Sequence, residues 1–324
     1  MKYREFGRLG WDVSEIGFGG WGIGKAWWGN VDDKESVRAL AKAVEVGINF
    51  FDTAYVYGDG HSENLMGKTL KGKKVFIATK IPPKGHGWPG NPATPISQTF
   101  PKDWIVACTE RSLKKLDREF IDLTQFHVWS DGWLKYDEWK EGVAQLKKEG
   151  KIKAFGVSIN DHDPNSALEL VQSGLVDSVQ VIFNIFDQSP AEKLFPLCVK
   201  NKVAVIVRVP FDEGGLTGTL TKNTKFEGDD FRAHYFRGNN LAETVDRAEK
   251  LKSFLGDEAG TLPDLALKFI LAFDAVSVVI PGMRKTKHVV ANTAVSNSPR
   301  LKPETPEALR AHAWPRNFYG WENE

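Results

Sequence analysis

"DDKESVRALAKAVEVGINFFDTA" (Asp32–Ala54) changes its period halfway along. In the first half, Asp32 and Glu35 have the spacing of a capping box, and Val37, Leu40, Ala41 and Val44 form an apolar stripe that Gly47 ends. The second half, "INFFDTA", is apolar on both faces, which is how a strand covered on both sides reads. A helix leading at once into a doubly buried strand is the repeating element of a parallel α/β protein.

Outward from this stretch the element recurs. Short β-branched runs appear as "SEIGFG", "INFFDTA", "VFIATKI", "IDLTQFHV", "AFGVSI", "SVQVIFN", "VAVIVRV" and "VSVVIPG". Segments of helical spacing lie between them, among them "KDWIVACTERSLKKLD", "YDEWKEGVAQLKKEG" and "LPDLALKFILAF". Eight such units predict a (β/α)8 TIM barrel, with an open doubly wound sheet as the alternative. The 324 residues contain no linker and are expected to form a single domain, 1–324. Two connections are long, Pro82–Lys102 and Phe211–Asn240; both follow strands, on the face where barrels carry their sites.

With 43 basic and 42 acidic residues the net charge is +1, which gives no field to draw the chain to nucleic acid or anionic lipid and favours a small-molecule partner. The two cysteines, Cys108 and Cys198, lie outside any metal or redox motif and read as buried thiols of a reducing compartment. No apolar stretch has signal-peptide or membrane-spanning character, so the cytoplasm is the expected location. "GFGGWG" (Gly17–Gly22) matches a dinucleotide fingerprint, but loop rather than helix follows it. These glycines therefore read as a bend beside a ligand or a plain strand-end turn.

The ends of consecutive strands carry a complementary set. Asp52 closes the second run, Lys80 the third and His127 the fourth, and Tyr57 lies in the loop after the second. A tyrosine is a reluctant proton donor near neutral pH, and an ammonium from Lys80 stabilises its phenolate. A carboxylate, Asp52, keeps a buried ammonium charged. His127 then donates a hydrogen bond to a substrate oxygen. This set suits proton donation to a carbonyl during its reduction.

"FDTAYVYG", "IATK" and "QFHVW" resemble the motifs of the aldo-keto reductase family, and Asp52, Tyr57, Lys80 and His127 match its catalytic tetrad one by one. The opening "YREFGRLGWDVSEIGFGGWGIG" resembles the family's N-terminal hairpin and first strand, and similarity runs to about Asn297. The resemblance implies a barrel with a hairpin cap and extra C-terminal helices and loop. It also implies NADPH bound across the mouth, direct hydride transfer to an aldehyde or ketone, and neither metal nor flavin.

The resemblance further assigns cofactor contacts. Gly20, Trp21 and Asp52 are among them, and Ser158, Asn160 and Gln180 hold the nicotinamide carboxamide. Arg208 stands just before the phosphate loop "VPFDEGGLTG", to which Pro210, Gly214, Leu216 and Gly218 belong and where Gly215 also falls. Gly282, Arg284, His288 and Asn292 lie in "PGMRKTKHVVANTA" at the adenosine end, Arg284 for a 2′-phosphate, which favours NADP over NAD. Three positions depart from the pattern. Arg208 stands where an aromatic usually stacks on the nicotinamide, Ile159 interrupts the usual Ser-Asn pair, and Ala291 replaces an acid.

Trp21, Tyr55, Trp88 and Trp129, with Trp314, Phe318 and Trp321 of the tail, are candidate substrate walls suited to a flat or sugar-like molecule. Two other functions fit the sequence. One is a cofactor-binding regulatory subunit like the β subunits of potassium channels; the other is a barrel isomerase or lyase using Lys80 as a Schiff base.

Overall fold

The computed structural model describes residues 1–25, 27–29, 31–85 and 87–320. It contains strands β1 (Tyr3–Glu5), β2 (Asp12–Ser14), β3 (Phe18–Gly19), β4 (Phe50–Asp52) and β5 (Phe76–Ile81), then β6 (Ile121–Phe126), β7 (Ile152–Ser158), β8 (Ser178–Ile182), β9 (Ala204–Arg208) and β10 (Val276–Val279). Helices α1 (Asp33–Glu45), α2 (His61–Leu70), α3 (Ile96–Thr99), α4 (Lys102–Leu116), α5 (Glu138–Lys148) and α6 (Leu168–Ser173) alternate with them. So do α7 (Leu194–Asn201), α8 (Arg232–Tyr235), α9 (Asn240–Leu251), α10 (Leu262–Leu271) and α11 (Thr286–Asn297), with α12 (Glu304–Leu309) following the last strand unit.

Strands β3 to β10 pair in sequence order, every pair parallel. The sheet closes on itself. Gly17 N donates to Val279 O at 2.8 Å, Val279 N to Glu15 O at 3.0 Å and Gly19 N to Pro281 O at 3.0 Å. This is a (β/α)8 barrel, and closure leaves no open sheet edge.

Helix α1 follows the sequence in extent but not in detail. Asp32 caps it by accepting from Lys34 N, whereas Glu35 turns to Arg38 and to Thr286 N, so only half of the capping box forms. Its buried face is Ser36, Ala39, Leu40 and Ala43, while Val37 and Ala41 are exposed. Small residues on the packed face let α1 lie close to α2 and α11.

The N-terminal hairpin, β1–β2, plugs the bottom of the barrel. Phe6 stacks on Phe50 at 5.3 Å and joins the interior layer of Ala78, Leu123, Ala154, Ile206 and Val278. Electrostatics fasten the plug. Glu15, fully buried, accepts from Arg4 Nε at 3.2 Å and Arg300 Nη2 at 2.5 Å. The Arg4 guanidinium also donates to the carbonyls of Leu271, Phe273 and Val276 at 2.6, 3.1 and 2.8 Å, the end of α10 and the start of β10. The bottom is thus sealed, and only the opposite mouth is open to chemistry.

Removing one partner of a buried pair leaves uncompensated charge. Glu15→Ala is expected to cost about 3 kcal/mol of stability, measured by urea unfolding. A loss below about 1 kcal/mol would show that the arginines find other partners.

Candidate active site

Parallel pairing puts the ends of β4, β5 and β6 side by side, with Asp52 opposite Ala78 and Lys80 opposite Gln125. The Lys80 ammonium, fully buried, is bonded to Asp52 Oδ1, donates to Thr53 O at 2.9 Å, and reaches Tyr57 Oη at 3.4 Å. Burial by itself would strip its proton, but Asp52 and Tyr57 outweigh that and raise the lysine's proton affinity. Asp52 from the end of β4 and Tyr57 from the loop after it therefore meet at the Lys80 cation.

The second oxygen of Asp52 is also held. Gln180 Nε2 donates to Oδ2 at 2.8 Å, Gln125 Nε2 does so at 3.3 Å, and the two amides touch at 3.4 Å. Gln125 was absent from the sequence reading. Its signal is the strand period: it stands two residues before His127, on the same face of the chain.

Tyr57 owes its position to two glycines. A Cβ on Gly58, whose φ is +69°, would sit 1.9 Å from Gly24 O, and one on Gly24 would sit 2.8 Å from the Tyr57 carbonyl carbon. Only glycines let the loop after β3 cross the tyrosine turn this closely. Burial raises the phenol's proton affinity and Lys80 only partly opposes this, so the hydroxyl stays protonated at neutral pH. The His127 ring lies edge-on to Tyr57 at 5.8 Å and to Trp88 at 4.8 Å, and its Nδ1 is buried without a partner. Burial, then Lys80 and Arg208, push the His127 imidazole well below its usual range, so the ring is neutral. Together these groups offer a phenol, an ammonium behind it and a neutral imidazole beside it.

The candidate cofactor residues spread along the remaining strand ends. Ser158 is buried at the end of β7. Asn160 departs from its predicted role: its amide pairs with Gly90, accepting from N at 2.8 Å and donating to O at 2.9 Å, and so ties down the Trp88 loop. Gln180 spends its Nε2 on Asp52 Oδ2 and on Gln125 Oε1. Arg208 donates to Ile159 O at 2.9 Å and to Asp161 Oδ1 at 2.8 Å, which fixes the guanidinium, and its buried Nε has no partner. Pro210 and Leu216 are buried, and Gly214 and Gly218 take φ of 109° and 70°.

Gly20, whose N donates to Asp52 O at 2.8 Å, leaves no room for a side chain, a Cβ there lying 2.5 Å from Met66 Cε. Gly282 is open, and Asn292 is buried inside α11. Arg284 lies across Trp28, donating to its carbonyl at 3.1 Å, with Arg232 on the same ring. Burial, then Lys287, Arg284 and Lys285, lower the proton affinity of His288, and burial, then Arg232, lowers that of Arg284. Cations gathered in this way, Arg232, Arg284, Lys285 and Lys287, fit an anionic group such as a phosphate.

Of the proposed substrate walls, Trp21 faces Tyr57 at 6.1 Å, and Trp88 borders His127. Two belong elsewhere. Trp129 is fully buried, stacked behind Phe126 at 6.4 Å and edge-on to Trp139, because its strand-end position packs it under the helices. Tyr55 turns outward, where Arg111 of α4 covers its ring at 4.7 Å. Trp314 and Phe318 pack against each other and, respectively, Phe186 and Tyr235; Trp321 lies outside the described residues. The long connections are ordered in part by α3, α8 and a 3-10 turn at Asp212–Thr217. No helix among the described residues is long and apolar enough to cross a membrane.

The aldo/keto reductase family profile matches residues 15–313. The chain belongs to this family, whose members are oxidoreductases acting on carbonyl and alcohol groups with a nicotinamide cofactor. It is 31% identical over 303 residues to the aldo-keto reductase YhdN of Bacillus subtilis, covering 91% of this chain and 89% of that one. It is 29% identical to the NADH-specific methylglyoxal reductase of Escherichia coli, covering 92% and 94%. A solved aldo-keto reductase from Bacillus halodurans, in its holo form, superimposes with a TM-score of 0.77 at 28% identity, covering 97% and 96%.

Sequence reading also missed an acid beside the site. Glu213, buried in the loop after β9, has its carboxyl pushed up to about 7, by burial first, while Tyr319 pulls it down. The folded chain thus holds a proton there between about pH 4.5 and 7 that the unfolded chain releases, so this carboxyl's contribution to stability falls as pH rises through that window. Glu213→Gln is expected to gain stability relative to the unaltered protein at pH 8 compared with pH 5, read from urea midpoints at both. An unchanged difference would mean that the carboxyl titrates normally.

Proposed function

We propose that the chain is an NADPH-dependent carbonyl reductase in which Tyr57 is the proton donor. The observation that carries this reading is the Lys80 ammonium, held between the Asp52 carboxylate and the Tyr57 hydroxyl. A reduced nicotinamide supplies the hydride when bound. The rest is done by side chains of this protein.

Neutral His127 donates a hydrogen bond to the carbonyl oxygen and orients it toward Tyr57. Tyr57 Oη passes its proton to that oxygen as the alkoxide forms, and the resulting phenolate is stabilised by Lys80. Asp52, itself gripped by Gln180 and Gln125, keeps Lys80 charged throughout. Trp21 and Trp88 flank the reacting carbonyl and limit access of water.

Cofactor choice rests on the adenosine end. The crowded cations Arg284, Lys285 and Lys287 beside His288 support a 2′-phosphate and hence NADPH. The Escherichia coli relative is NADH-specific by name, so this preference is a property to be measured in the chain itself. Free, buried Cys108 and Cys198 suit the reducing cytoplasm as its location.

Tyr57→Phe is expected to lower carbonyl reduction by about 10²–10⁴-fold while NADPH binding stays nearly intact. Consumption of NADPH over a panel of aldehydes, ketones and keto-sugars measures this. Activity retained in the variant would remove Tyr57 as the acid, and tight binding with no turnover on any compound would instead favour a regulatory subunit. Arg284→Ala should weaken NADPH by about 10- to 100-fold and NADH far less, in equilibrium titration. Equal losses for both would dismiss the 2′-phosphate contact.

A further inference from the structure

The loop after β9 is bent in an unusual way. Phe211 has φ −107°, and Asp212, Glu213 and Gly214 follow with φ of 50°, 54° and 109°. Left-handed backbone is disfavoured for residues other than glycine, so two such acids in succession need outside support. A right-handed residue followed by left-handed ones is also the pattern that forms anion-binding concavities. This loop follows the seventh barrel strand, at the mouth, where barrels commonly bind phosphate.

The support comes from the far end of the chain. The Arg316 guanidinium is bonded to Asp212 Oδ1, which also accepts from Tyr235 Oη at 3.1 Å. Tyr319 Oη donates to Glu213 Oε1 at 2.5 Å. The tail is itself anchored. Trp314 N donates to Phe186 O at 2.7 Å, and Tyr319 O and His234 Nε2 are 2.7 Å apart.

These contacts do two things at once. They fix the bend, and the Arg316 cation offsets the charge of the Asp212 carboxylate, which would otherwise repel a diphosphate laid along the same loop. We propose that Arg316 and Tyr319 are positioning residues for dinucleotide binding, holding the Val209–Gly218 loop in its receptive shape from the C-terminal tail. The inference rests on the reading of the chain as NADPH-binding. It makes the tail part of the binding apparatus, although none of its residues need touch the ligand.

The test uses full-length Arg316→Met and Tyr319→Phe, the second removing a single hydroxyl. Tryptophan fluorescence titrations with NADPH and with adenosine 2′-monophosphate, which carries no 5′-phosphate, are compared, and thermal unfolding checks that each variant is folded. A loop in its receptive shape only a tenth of the time would raise the NADPH Kd about tenfold. The monophosphate Kd should change by less than about twofold, since it has no diphosphate group to lay along the loop. Unchanged NADPH affinity in both variants, or equal loss for both ligands, would overturn the inference while leaving the function intact. Failure of the unaltered protein to bind NADPH would overturn both.

Discussion

The buried ion pair between Lys80 and Asp52 is the constraint around which the mouth is organised. A lysine with no solvent exposure persists as a cation only because a carboxylate meets it, and the second oxygen of that carboxylate accepts from amide donors. Gln125 and Gln180 supply those donors from the next strands of the barrel. The geometry therefore spreads outward, from β4 and β5 to β6 and β8, and each added strand end fixes an oxygen or a proton that the central pair requires.

The same logic explains how the protein holds charge elsewhere. Glu15 at the bottom, Asp161 with Arg208 at the mouth, and Asp212 with Arg316 in the tail are each acids paired with arginine rather than lysine. A planar guanidinium can bond carboxylate and backbone carbonyl together, as Arg4 does with Glu15 and three carbonyls. Lysine is buried at the reacting centre, where a compact charge beside a phenol is wanted.

Much of this was legible in the sequence. The period change between Asp32 and Ala54 announced helix and strand, and the polar residues at strand ends announced Asp52, Lys80 and His127, because parallel pairing alone brings such ends together. What the sequence did not disclose depended on contacts between distant segments. The buried face of α1 is turned by its helical neighbours, Asn160 is captured by Gly90, Trp129 faces inward because of the packing around Phe126, and Tyr319 reaches Glu213 across more than a hundred residues. Local periodicity carries no information about such meetings. Gln125 is the exception, since its strand register was readable.

The close crossing of Gly24 and Gly58 means that the position of the proton donor is governed by steric clearance between two loops. Natural variation at either glycine would therefore look like damage to chemistry in any assay of turnover, although no reactive atom had been altered. For the evolution of this chain, the acid is protected by two empty spaces as much as by its own hydroxyl, and neither space can be recognised by searching for functional groups.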